Sequence, residues 1–233
     1  LNRLEDGLRF IELDYKVNRN NLIRKFNTLI SLNNIQYGLL KIIITSGELK
    51  NNTLNKDNKF SVLLSIRHRP EIPNLPAKIV FFDERKYPII RFNHAIKSIN
   101  YIGNLKAIKD AKKLNAYEPI FYNYENFITE GAMRNIFFIK NNQIITPPLD
   151  LGVLPGIMRH IIIQIAKEFR IPVHENKIKI SDINSMDEAF ISSTGIGLVP
   201  CYWDGWSSNY ILTKKIKSRL ELIIGINETK KKY

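Results

Sequence analysis

Apolar positions open the chain with a helical rhythm: Leu1, Leu4, Leu8 and Ile11, then Leu22, Ile23, Phe26, Leu29 and Ile30, recur on one side of a 3.6-residue turn. The spacing predicts helices over residues 1–13 and 20–32. The period then shortens. Residues 38–45, 60–66 and 77–82 are β-branched and aromatic runs separated by Gly, Asn and Pro, which predicts strands. The three prolines within residues 69–76 predict an extended connection. Beyond His94 the helical rhythm returns at 100–114. Strands are expected at 118–122, 136–139 and 143–146, with Asn141-Asn142 at a hairpin turn. Pro155-Gly156 opens a helix over 157–169, followed by short strands at 178–180, 189–192 and 198–202 and a helix over 213–222. The resulting expectation is an α/β (α+β) chain of two lobes, residues 1–93 and 94–233.

Composition narrows the class. With 44% hydrophobic and 24% charged residues, the chain has the makeup of an ordinary folded protein. Cys201 is the single cysteine, which excludes a disulfide framework and a cysteine-based zinc site. His94 and His160 lack metal-ligand partners at suitable spacing, so no metal is expected. Apolar runs fall far short of the ~20 residues of a spanning helix, and no signal peptide is read at the start, so a cytoplasmic protein without membrane contact is the expectation. Leu1 stands where a helix is already under way, and the sequence reads as lacking a front portion. The net charge of +13 invites a nucleic-acid reading. The basic residues are dispersed, however, and the densest blocks, Lys214–Arg219 and Lys230–Lys232, read as solvated surface. No nucleic-acid partner is expected; a general attraction for anionic ligands is what charge supports.

Four blocks carry chemistry: Lys97-Ser-Ile-Asn100, Ile128-Thr-Glu-Gly-Ala-Met-Arg-Asn-Ile-Phe137, Leu154-Pro-Gly-Ile-Met-Arg159 and Phe190-Ile-Ser-Ser-Thr-Gly-Ile-Gly-Leu-Val-Pro200. In order and spacing they resemble the class IV (fold type IV) pyridoxal-phosphate enzymes. That family holds branched-chain aminotransferases, D-amino-acid aminotransferases and 4-amino-4-deoxychorismate lyases. The resemblance runs from Leu1 to about Tyr202 and implies a two-lobed, D-amino-acid-aminotransferase-like fold, pyridoxal 5'-phosphate as cofactor, an amino-acid-type small-molecule substrate and a homodimer.

The resemblance also implies roles. Lys97 would form the Schiff base and serve as the catalytic acid and base. Glu130 would meet the ring nitrogen and keep it protonated. The backbone N–H groups of Ile157 and Met158, at a helix N-terminus, would hold the phosphate with Ser193, Thr194 and Arg3. Met158 stands where the family often carries Thr. Tyr101, one residue nearer the lysine than the family spacing, stands near the position of a tyrosine that meets the cofactor's 3-hydroxyl. Arg134 is open to two readings, a substrate-carboxylate ligand or a solvated surface charge. If Leu1-Asn-Arg-Leu4 ends the family's His-x-x-Arg-Leu segment, the strands that precede that segment are missing from this sequence. Aminotransferase members tend to carry Glu where Gly197 stands, so the final block is closer to the lyase pattern, and Thr45-Ser46-Gly47 replaces the Thr-Arg-Gly of some D-amino-acid enzymes. The expectation is a deoxychorismate lyase forming 4-aminobenzoate and pyruvate, as in folate synthesis. The alternatives are a branched-chain or D-amino-acid aminotransferase, or an inactive truncated homologue.

Overall fold

The computed structural model describes residues 1–35, 37–47, 60–69, 71–73, 76–93 and 95–225. His94 and the Lys230–Lys232 run lie outside the described residues. The chain forms two compact units, 1–70 and 71–233. This division comes earlier than the 93/94 boundary expected from sequence.

In the first unit, α1 (Asn2–Phe10) and α2 (Arg19–Asn33) precede the strands β1 (Gly38–Thr45) and β2 (Ser61–His68). The Asn18 side chain caps α2 by accepting from the Asn21 N–H at 2.9 Å, and the helix stops at Asn34 in the left-handed region. Arg19, at the head of α2, donates to Glu5 and Asn2 of α1, joining the two helices. β1 and β2 pair antiparallel, from Gly38 opposite His68 to Thr45 opposite Ser61.

The second unit is built on one eight-stranded sheet. In chain order its strands are β3 (Ala77–Asp83), β4 (Glu118–Tyr122), β5 (Ile128–Gly131), β6 (Asn135–Lys140), β7 (Gln143–Thr146), β8 (Val173–Glu175), β9 (Glu188–Ser193) and β10 (Gly197–Tyr202). Across the sheet they run β5-β4-β3-β10-β9-β6-β7-β8. β3 belongs to this unit because it pairs in parallel with both β4 and β10. The helices are α3 (Ile102–Lys113), α4 (Ile157–Glu168) and α5 (Ile211–Ile223).

The apolar run Ile136-Phe-Phe-Ile139 shows why the sheet sits where it does. Alternation sends Ile136 and Phe138 into one core with Ile120, Ile191 and Val199, and Phe137 and Ile139 into another beneath α4 and α5. A strand covered on both faces reads as continuously apolar. Phe137 stacks on Phe190 of the neighbouring strand with ring centres 4.9 Å apart, and Met158, Ile162 and Ile165 of α4 close over them. The start of α4 is thereby fixed against the ends of β6 and β9.

Two strands escaped the sequence reading. β5 is Ile128 followed by Thr129, Glu130 and Gly131, and β8 is three residues long with Val173 its one apolar residue, so neither shows an apolar run. The strand expected at 178–180 is replaced by one bridge between Lys179 and Phe127, after which residues 180–185 coil into a 3-10 turn. The Asn141-Asn142 turn is present, both residues having positive φ. Trp203 and Trp206 bridge across Asp204-Gly205 and stack at 3.9 Å, a structural clasp. Cys201 is fully buried in β10.

Candidate functional site

Glu130 is the hub of the second unit's candidate site. Its side chain projects from β5 into a largely enclosed position, where Arg91 Nη1 donates to Oε1 at 2.7 Å. Oε2 accepts from the Leu154 N–H at 3.1 Å and from Asn135 Nδ2 at 3.4 Å. Burial pushes the carboxyl above its ordinary pKa. The charge of Arg91, the Leu154 N–H, the Arg91 hydrogen bond and the charge of Lys97 oppose that rise in turn. Arg91 is held in place by Glu84 at 3.1 Å and Thr129 Oγ1 at 3.0 Å.

Lys97 lies in the irregular stretch before α3, where the Ser98 N–H donates to the Ile96 carbonyl at 3.1 Å, and is exposed. Its Nζ donates to the hydroxyl of Tyr101, the residue at the N-cap of α3. At α4, Gly156 takes the capping position with no side-chain cap, so the N–H groups of Ile157 and Met158 have neither an intrahelical acceptor nor a capping oxygen. Gly156 approaches Asn135 so closely that a Cβ there would lie 2.0 Å from Asn135 Oδ1. Asn135 sits opposite Ser192 in the β6–β9 register, and β9 then ends at Ser193 and leads into the turn that exposes Thr194. Register and hydrogen bonding thus bring together Glu130, the α4 N-terminus and the Ser193–Thr194 turn. Arg3 belongs to the first unit, half-buried in the opening turn of α1.

Arg134 departs from both of its expected readings. It is neither solvated nor free for a carboxylate ligand, because it forms an ion pair with Glu118 and donates to the Tyr117 hydroxyl at 2.8 Å. His160 is exposed on α4. Sequence reasoning missed Arg91 and assigned no part to Asn135. Arg91 pairs with a carboxylate 39 residues away, and only the fold reveals that juxtaposition. Asn135 lay inside a motif already quoted, and an amide placed five residues after a candidate carboxylate was the available signal.

Comparison with known proteins decides the family: the family model described as amino-transferase class IV matches residues 1–202. The chain belongs to the class IV aminotransferases. Among its class IV relatives, a D-alanine aminotransferase of Listeria innocua is 31% identical over 206 residues, covering 86% of this chain and 70% of that protein. An aminodeoxychorismate lyase of Bacillus subtilis is 26% identical over 205 residues, covering 86% and 69%. The solved structure of a branched-chain aminotransferase from Thermoproteus uzoniensis superposes with a TM-score of 0.83 at 22% identity, covering 98% of this chain and 79% of that one. The fold is that of the fold type IV enzymes, and the family's enzymes depend on pyridoxal phosphate. The residues in place fit that group. A braced carboxylate suits a protonated ring nitrogen, the uncapped α4 N-terminus suits a phosphate, and Lys97 supplies an amine. The buried Ser192 hydroxyl, on the residue opposite Asn135 in the sheet register, has no hydrogen-bond partner among the described residues.

Proposed function

We propose that this class IV chain acts as a 4-amino-4-deoxychorismate lyase, converting its substrate to 4-aminobenzoate and pyruvate. The observation that carries this reading is Gly197. Where aminotransferase members tend to place Glu, the backbone here has φ +69°, a conformation that favours glycine and strains any other side chain. Once bound, the cofactor would supply a sink for the electron pair left when the substrate Cα loses its proton. In this reading Lys97 takes that proton and returns one where the product needs it, with Tyr101 holding the amine in position. Glu130 holds the proton of the ring nitrogen, and Arg91 keeps the carboxylate aimed. Ile157 and Met158 offer their N–H groups to the phosphate, joined by the hydroxyls of Ser193 and Thr194. Arg3 is assigned to the phosphate by the resemblance alone.

The test is direct. Supplied with 4-amino-4-deoxychorismate, the protein loaded with pyridoxal phosphate is expected to release 4-aminobenzoate. Glutamate formed from 2-oxoglutarate and a branched-chain amino acid or D-alanine, with no 4-aminobenzoate, would reverse the assignment toward an aminotransferase. The 31% identity to a D-alanine aminotransferase makes D-alanine the first amino donor to try.

We also propose a homodimer. Ile99, Ile102 and Leu105 stand 65, 73 and 57% exposed in a row leading from Lys97 into α3, and an apolar stripe of that kind suits a protein partner. Ile102→Glu combined with Leu105→Glu is expected to shift the mass in solution from two chains to one. A wild type that already runs as one chain would contradict the proposal.

A further inference from the structure

Asn135 opens β6, nearly buried, between the two ends of the candidate site. Its Nδ2 donates to the Leu154 carbonyl at 3.0 Å and lies 3.4 Å from Glu130 Oε2. That same carboxylate oxygen accepts from the Leu154 N–H at 3.1 Å. Leu154 is thus gripped through both its N–H and its C=O, by one carboxylate and one amide. Two residues later Gly156 caps α4, and it lies so close to Asn135 Oδ1 that a Cβ there would come within 2.0 Å. The segment that delivers the helix N-terminus cannot shift without moving the carboxylate.

We propose that Asn135 is a positioning residue that locks the Glu130 carboxylate and the α4 N-terminus into one frame, so that the ring end and the phosphate end of the cofactor are set by the same amide. This rests on the cofactor-binding reading above and goes beyond it, since it makes the two ends interdependent. The amide's chemistry is specific to the task. Its NH2 donates to a carbonyl and a carboxylate, while its oxygen fills the space left by the missing Cβ of Gly156. An aspartate in its place would keep the shape, lose the donor and set a second negative charge beside Glu130.

The test separates the two ends with two probes on the full chain. Pyridoxal, which lacks the phosphate, reports the ring end directly. Inorganic phosphate, competing with pyridoxal phosphate, reports the helix end. Both dissociation constants are measured for wild type, Asn135→Ala, Asn135→Asp and Gly156→Ala, with circular dichroism to confirm folding. Each variant is expected to weaken both probes by about 10-fold, the scale seen when a group supporting a ligand contact is lost. Gly156→Ala is the sharpest case, because it alters the helix side and must still weaken pyridoxal. The Asn135→Asp deficit, taken as a ratio to wild type at each pH, is expected to shrink as pH falls and the new carboxyl regains a proton to donate. Circular dichroism at each pH separates this from a merely structural role, in which the folded fraction would change along with binding. Variants that weaken one probe alone, an Asn135→Asp ratio that does not move with pH, or loss of fold in all three variants would overturn the proposal. Wild type failing to bind pyridoxal phosphate would overturn the cofactor reading with it, whereas wild-type binding with unchanged variants would overturn this proposal alone.

Discussion

Lys97→Ala is expected to lower the turnover number by at least about 10²–10⁴, the span that a positioned proton-transfer group contributes. The loss should be larger if the lysine also anchors the cofactor covalently. The fold should not change. Lys97 is exposed and, among the described residues, its one polar partner is Tyr101, so truncation opens no cavity in either core. Thermal unfolding of the variant should therefore coincide with wild type to within about 0.5 kcal/mol, the usual range for surface substitutions. Activity assays beside the melting curve check both halves. An inactive variant that also melts early would mean that Lys97 is structural.

Arg134→Ala is expected to have the largest effect on stability. Glu118 is 0% exposed and shares its carboxylate between Arg134 and the Met133 N–H, which donates at 2.7 Å. Removing the guanidinium leaves a buried carboxylate with one backbone donor, a change that costs about 3–5 kcal/mol. In a domain of this size that corresponds to a fall of about 10 °C in Tm. Glu118→Gln should cost less, because the amide oxygen still accepts from Met133. The pH dependence follows from the same pair. Burial pushes the Glu118 carboxyl up from 4.5 to about 7, against the pull of Arg134. The folded state then holds this proton to higher pH than the unfolded chain does. The group's contribution to stability is therefore greatest below pH 4.5, declines as pH rises toward 7 and is level above. Without Arg134 the carboxyl holds its proton to still higher pH. The destabilisation in Arg134→Ala should consequently be smaller near pH 5 than near pH 8, which denaturant titrations at the two values would show.

These two residues also mark where sequence reasoning stops. Lys97, Glu130 and the Gly156–Met158 turn were legible as candidates because each lies within a contiguous motif that carries the class IV resemblance. The strands beneath them were legible where burial on both faces makes the run apolar, as in Ile136–Ile139. Arg134 was misread because its partner Glu118 lies in another strand, and no local pattern distinguishes a buried cation from a solvated one. Arg91 was invisible for the same reason. β5 was hidden because the residues that serve the site, Thr129 and Glu130, break the alternation that identifies a strand. The division at residue 70 depends on parallel pairing of β3 with strands distant in sequence, and such pairing leaves no local trace.

The central claim is that this chain binds pyridoxal phosphate covalently at Lys97. Borohydride reduction of protein incubated with the cofactor, followed by digestion and mass spectrometry, locates the attachment. The expected result is a pyridoxyl-phosphate mass on the peptide carrying Lys97, absent from Lys97→Ala. A label spread over surface lysines, or no label on wild type, would contradict it.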